Sequence, residues 1–89
     1  MDNGGKPYTD KDNIRTFSQD VQEQELVWHR DHNTRLVEVK QGKGWQIQLD
    51  NKLPITLKEG EAVVIPKETY HRLLKGTTDL VVEITEYES

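Results

Sequence analysis

The stretch GEAVVIPKETYHRL, Gly60 to Leu73, decides how this chain is read. Gly60 allows a tight turn. Glu61 to Ile65 is then short and mostly apolar, the length and composition of a strand. Pro66 ends it, because a proline cannot donate to a β-ladder. Pro66-Lys67-Glu68-Thr69 reads as a turn, and Tyr70 to Leu74 as the returning strand, with His71 near its start. The stretch is therefore two antiparallel strands with a histidine just past the turn. That histidine either decorates a strand entrance or points into a pocket.

The same punctuation extends in both directions. Upstream, Leu26-Val27-Trp28-His29 reads as a strand and Arg35 to Lys40 alternates. Gly42-Lys43-Gly44 interrupts the pattern before Trp45-Gln46-Ile47-Gln48-Leu49, a strict alternation that predicts a half-buried strand with Trp45, Ile47 and Leu49 on its core face. Leu53 to Leu57 alternates again, with Pro54 suited to an edge or a strand start. Downstream, Leu80 to Tyr87 forms the last strand, with Leu80, Val82 and Ile84 on one face. Ile14 to Phe17 is a candidate first edge strand, and Gln19 to Glu25 a loop or one helical turn. Met1 to Asn13, rich in Gly, Asp, Asn and Lys, is expected to be a flexible amino-terminal arm, leaving 14–89 as a single domain. No segment after residue 25 shows a 3.6-residue apolar period. Short strands with turns every 8–12 residues predict an all-β sandwich or barrel.

Composition narrows the function classes. Eighty-nine residues allow one domain, and 33% hydrophobic against 31% charged residues makes a thin core. With no cysteine, disulfides, thiolate metal sites and cysteine nucleophiles are excluded. A net charge of -4 without a basic stripe gives no electrostatic footprint for nucleic acid. Ala62 to Ile65 and Leu80 to Val82, the longest apolar runs, fall far short of the ~20 residues of a membrane-spanning helix. The start lacks an apolar signal-peptide core, so the expectation is a cytoplasmic protein with no membrane partner.

The pattern Gly60-x5-Pro66-x-Glu68-x2-His71 resembles the second motif of the cupin family, Gly-x5-Pro-x-Gly-x2-His, with Glu68 where cupins usually have glycine. The first cupin motif aligns through Val39, Gly42 and Gly44. His29 then matches its first histidine, Asp31 falls at its second, and Arg35 at its glutamate; His32 takes the second place if the loop bulges. Within the cupins, Tyr70 to Leu73 and Val82 to Ile84 are similar to the carboxy-terminal domain of type II mannose-6-phosphate isomerases. The resemblance spans roughly residues 25–87. It implies a cupin-like jelly-roll β-barrel of two antiparallel sheets, often paired as a homodimer, with a metal held by histidines in the interior.

Two arrangements follow from these residues. His29, Asp31 and His71, with His32 as a further candidate, offer imidazoles and a carboxylate suited to Fe, Mn or Zn. Alternatively Arg35 pairs with Asp31, and His29 and His71 flank a metal-free pocket for an anion. His29 and His71 are the candidate general acid–base groups in either case, and Tyr70 is a candidate for the pocket mouth. The leading expectation is a binder of a small polar or anionic ligand, a sugar or a carboxylate. The alternatives are a metal-dependent enzyme of sugar-phosphate isomerase or dioxygenase type, and a non-catalytic dimeric assembly module with contacts from Trp28, Phe17 and the first strand.

Overall fold

The computed structural model describes residues 7–88. Its strands are β1 (Thr9–Lys11), β2 (Ile14–Phe17), β3 (Thr34–Gln41), β4 (Gln46–Leu49), β5 (Ile55–Thr56), β6 (Ala62–Ile65), β7 (His71–Leu74) and β8 (Leu80–Tyr87). One 3-10 turn, Glu23–Glu25, lies between β2 and β3. The strands form two antiparallel sheets, ordered β1-β2-β8-β3-β6 and β5-β4-β7. The all-β, two-sheet architecture is the one the alternating pattern predicts.

The core lies between the sheets because each strand turns alternate residues inward. β3 contributes Val37 and Val39, β8 Leu80 and Val82, and β4 Ile47, all buried. Trp45, immediately before β4, is fully buried, and its Nε1–H donates to the Thr78 carbonyl at 2.7 Å. Leu49 is half-buried against this cluster, so the expected face of Trp45, Ile47 and Leu49 is present. Gly60 has φ +86 with open space around its missing side chain, so its role is to let the chain turn into β6. Gly76 is needed for the opposite reason: a Cβ there would lie 2.2 Å from the Lys43 carbonyl oxygen and 2.4 Å from Trp45 Cδ1.

Three expectations change. Residues 7–13 are not a free arm, because Thr9–Lys11 pairs with β2; Met1 to Lys6 lie outside the described residues. Asp12 and Asn13, at φ 52 and 69, close a two-residue hairpin between Lys11 and Ile14. Consecutive left-handed residues make the turn that matches strand twist, and Asp and Asn tolerate it. β2 is consequently interior to its sheet, and buried Phe17 faces the core rather than a partner. Leu26 to His29 is not a strand: it keeps a single bridge, His29 to His71, and leaves Val27 and Trp28 exposed. Among the described residues no helix is long and apolar enough to cross a membrane.

Candidate functional site

The bridge between His29 and His71 builds the site. His29 N–H donates to the His71 carbonyl at 3.0 Å, and His71 N–H to the His29 carbonyl at 2.8 Å. Residues paired this way project their side chains to the same face of the ladder, and the two imidazole centres lie 4.3 Å apart. Each ring is fixed in the same manner. His29 Nδ1 bonds the Val27 carbonyl at 3.0 Å and His71 Nδ1 the Thr69 carbonyl at 2.9 Å. A carbonyl only accepts, so each Nδ1 carries a proton, and in the uncharged ring Nε2 is then the atom with the lone pair. A backbone acceptor on the second ring nitrogen is the usual support of a metal-binding histidine.

Asp31 completes the group. One ligand atom from each of His29, Asp31 and His71 lies within 4.8 Å of the others. Asp31 Oδ2 is 3.4 Å from His71 Nε2, is buried, and has no hydrogen-bond partner. Two lone-pair atoms that close repel unless a proton or a cation sits between them. Burial disfavours the proton: it pushes the His71 imidazole below its ordinary value, although the Thr69 hydrogen bond and Asp31 act the other way. Two imidazole nitrogens and an orphaned carboxylate oxygen therefore fit a divalent cation.

Arg35, on β3, enters from the other side of Asp31. Its Nη1 is 3.5 Å from the same Oδ2, its Nη2 is 3.8 Å from Glu86 Oε2, and its Nε is buried without a partner. Arg35 is thus ion-paired with Asp31. The ligand set and the ion pair nevertheless share one carboxylate.

His29, Asp31, Arg35 and His71 all line one cavity of about 310 Å³ between the sheets. His71 is only 4% exposed. Two sequence candidates are placed elsewhere. The His32 side chain is 94% exposed, because Asp31 takes the inward position and the loop does not bulge. Tyr70 is exposed and absent from the cavity lining, since the residue before inward-facing His71 points outward; the Arg30 guanidinium lies 5.3 Å from its ring centre.

Two further residues contribute: Glu68, noted in the motif but given no role there, and Arg15, which the sequence does not point to. Glu68 adopts φ 59, the left-handed conformation that explains why cupins use glycine at this place. Its N–H donates to the Asp31 carbonyl at 2.7 Å, and its carboxylate meets Arg30 at 3.4 Å and His32 at 3.0 Å. The hydrogen bond from His32 holds the Glu68 carboxyl below its usual range. Glu68 thus clasps the loop on both sides of Asp31. Arg15, inward-facing on β2, also reaches the cavity; it forks onto Asp10 at 2.8 and 3.0 Å beneath the Tyr8 ring.

The two-sheet barrel with its site between the sheets is a cupin-like fold. Solved structures with a similar fold include the following two. Protein NMB1881 from Neisseria meningitidis is 16% identical, with TM-score 0.60, over 91% of this chain and 80% of its own. KdgF from Halomonas sp. is 18% identical, with TM-score 0.56, over 100% of this chain and 94% of its own. No protein-family model matches the chain, and no curated protein matches it in sequence.

Proposed function

We propose that this chain is a metal-binding protein of cupin-like fold whose cavity takes a small anionic ligand beside the ion. The observation that carries the reading is the buried Asp31 Oδ2, without a hydrogen bond, facing His71 Nε2 with His29 alongside. His29, Asp31 and His71 hold the ion, and Arg35 binds the anion. A divalent ion supplies Lewis-acid polarisation of a ligand oxygen. His29 and His71 turn their Nε2 atoms to the ion because the backbone occupies Nδ1. Asp31 and His71 sit on the less exposed side of the site and His29 on its exposed side, so the contacts of the first two are the less screened by water.

The test is metal content of the protein after incubation with Zn(II), Mn(II) or Fe(II). Near one ion per chain is expected in the wild type and in His32→Ala, and none in His71→Ala. A wild type that takes up no ion refutes the metal reading; the pocket is then a metal-free anion site built on Arg35 and Asp31.

A further inference from the structure

Four of the seven polar side chains that line the cavity gather in one cluster. His29, Asp31, Arg35 and His71 form one pole. Phe17, Leu26, Ile47, Leu57, Leu73 and Ile84 are prominent in the rest of the wall, and among the described residues no Ser, Thr, Asn, Gln or Lys side chain lines it. The other polar side chains that reach the cavity are Tyr8, Arg15 and Glu25. Arg15 lies level with Val82 and Arg35 level with Glu86, about 13 Å further along β8 at strand rise. Arg15 is moreover already engaged by Asp10.

A ligand rich in hydroxyls would bury several of them against this wall without partners, and each unpaired hydroxyl opposes binding. A hydrocarbon body gains from the same wall. The pole is suited to a planar anion. Arg35 is 18% exposed, its Nε is buried and unpartnered, and its contacts to Asp31 and Glu86, at 3.5 and 3.8 Å, are longer than hydrogen bonds. The buried Nε is out of a ligand's reach, and the Nη1 and Nη2 donors, held only by these long contacts, are the ones left for a carboxylate. A cavity of about 310 Å³ is at the small end of ligand pockets.

We propose that the ligand is an amphiphilic carboxylate, a compact aromatic or branched aliphatic acid, rather than a sugar. Its carboxylate is held by Arg35 and its hydrocarbon body fills the apolar chamber. This names the substrate class of the same pocket and rests on the ligand-binding reading proposed above.

Phenylacetate, phenylacetamide and glucuronate are titrated into the full chain, with and without Zn(II), by calorimetry and ligand-observed NMR, and the zinc content of the same samples is measured. Phenylacetate is expected to bind about 10-fold or more tightly than either competitor, the loss of one charge-assisted hydrogen bond or the burial of unpaired hydroxyls each sufficing for that factor. Arg35→Met is expected to erase the difference between acid and amide. The acid–amide comparison in the wild type does not depend on that variant folding. Glucuronate binding as well as phenylacetate, amide binding as well as acid, or no phenylacetate binding in either state overturns the proposal. Stoichiometric zinc without phenylacetate binding overturns the ligand class and leaves the metal site standing. Phenylacetate binding without zinc uptake supports the ligand class and removes the metal.

Discussion

Replacing Gly76 by alanine tests whether the barrel is closed as tightly as its geometry requires. The added Cβ would lie 2.2 Å from the Lys43 oxygen, 2.4 Å from Trp45 Cδ1 and 2.6 Å from Trp45 N. Two of these atoms are backbone, so no rotamer change relieves them. The chain must separate where Thr77 N–H meets the Lys43 carbonyl at 2.9 Å, and Trp45 must give up its place against Phe17, at 6.0 Å between ring centres. Overpacking of this kind costs up to about 3 kcal/mol. A domain of this size holds only about 5–13 kcal/mol in total, and the loss corresponds to a fall of about 12–24 °C in Tm. Gly60→Ala is the control. It meets no atom within 4 Å but sits at φ +86, so only the left-handed backbone is penalised, by about 1 kcal/mol or about 4–8 °C. Thermal and urea unfolding followed by tryptophan fluorescence measures both. Gly76→Ala melting no lower than Gly60→Ala would refute the steric argument. Because Leu49 of β4 is in register with His71 of β7, the variant is also expected to loosen the site.

Burial holds the His71 imidazole below its ordinary value, so the unfolded chain takes up a proton near pH ~6.5 that the folded chain refuses. The resulting stability is complete above that pH and is lost as pH falls toward the lowered folded value; urea midpoints at pH 7.5 and 5 should differ less in His71→Gln than in the wild type. Zinc at about 100 times its Kd should stabilise by about 2.7 kcal/mol, roughly 11–22 °C in Tm, reversed by a chelator and absent in His71→Ala. Glu68→Gly should weaken zinc binding about 10-fold, the usual loss for a residue that supports a ligand, without lowering Tm, since glycine is unstrained at φ 59. Glu68→Ala, which keeps the unfavourable conformation and lacks the clasp, should lower both.

Most of the barrel was legible because its strands bury one face. The alternations at 35–40, 45–49 and 80–87 each correspond to an inward row of buried residues. β1 escaped because Thr9, Asp10 and Lys11 are all exposed, and a strand with no buried face leaves no periodic signal. Its turn, Asp12-Asn13, was the available cue. Leu26 to His29 misled for the converse reason. Its apolar run resembles a strand, yet only His29 makes a backbone bridge, and the run instead delivers Leu26, Val27 and His29 to the cavity.

The site was legible in its residues but not in their electrostatics. The sequence poses Arg35 and a cation as rivals, since a guanidinium and a divalent ion repel. Folding changes the question by placing the Asp31 carboxylate between the His71 imidazole and the Arg35 guanidinium, at 3.4 and 3.5 Å. Unit charges about 4 Å apart interact by about 4 kcal/mol at an effective dielectric near 20. A paired Arg35 therefore presents much less of its charge to the histidines than a free one would. The same pairing leaves the guanidinium short of hydrogen bonds, with Nε unpartnered. On the proposed reading Arg35 does not displace the ion: neutralised toward the histidines and still able to donate, it is suited to an anion beside it. On the proposed reading that division of labour depends on Asp31 remaining between the two, and Glu68, at φ 59, bonds the Asp31 carbonyl from outside the cavity.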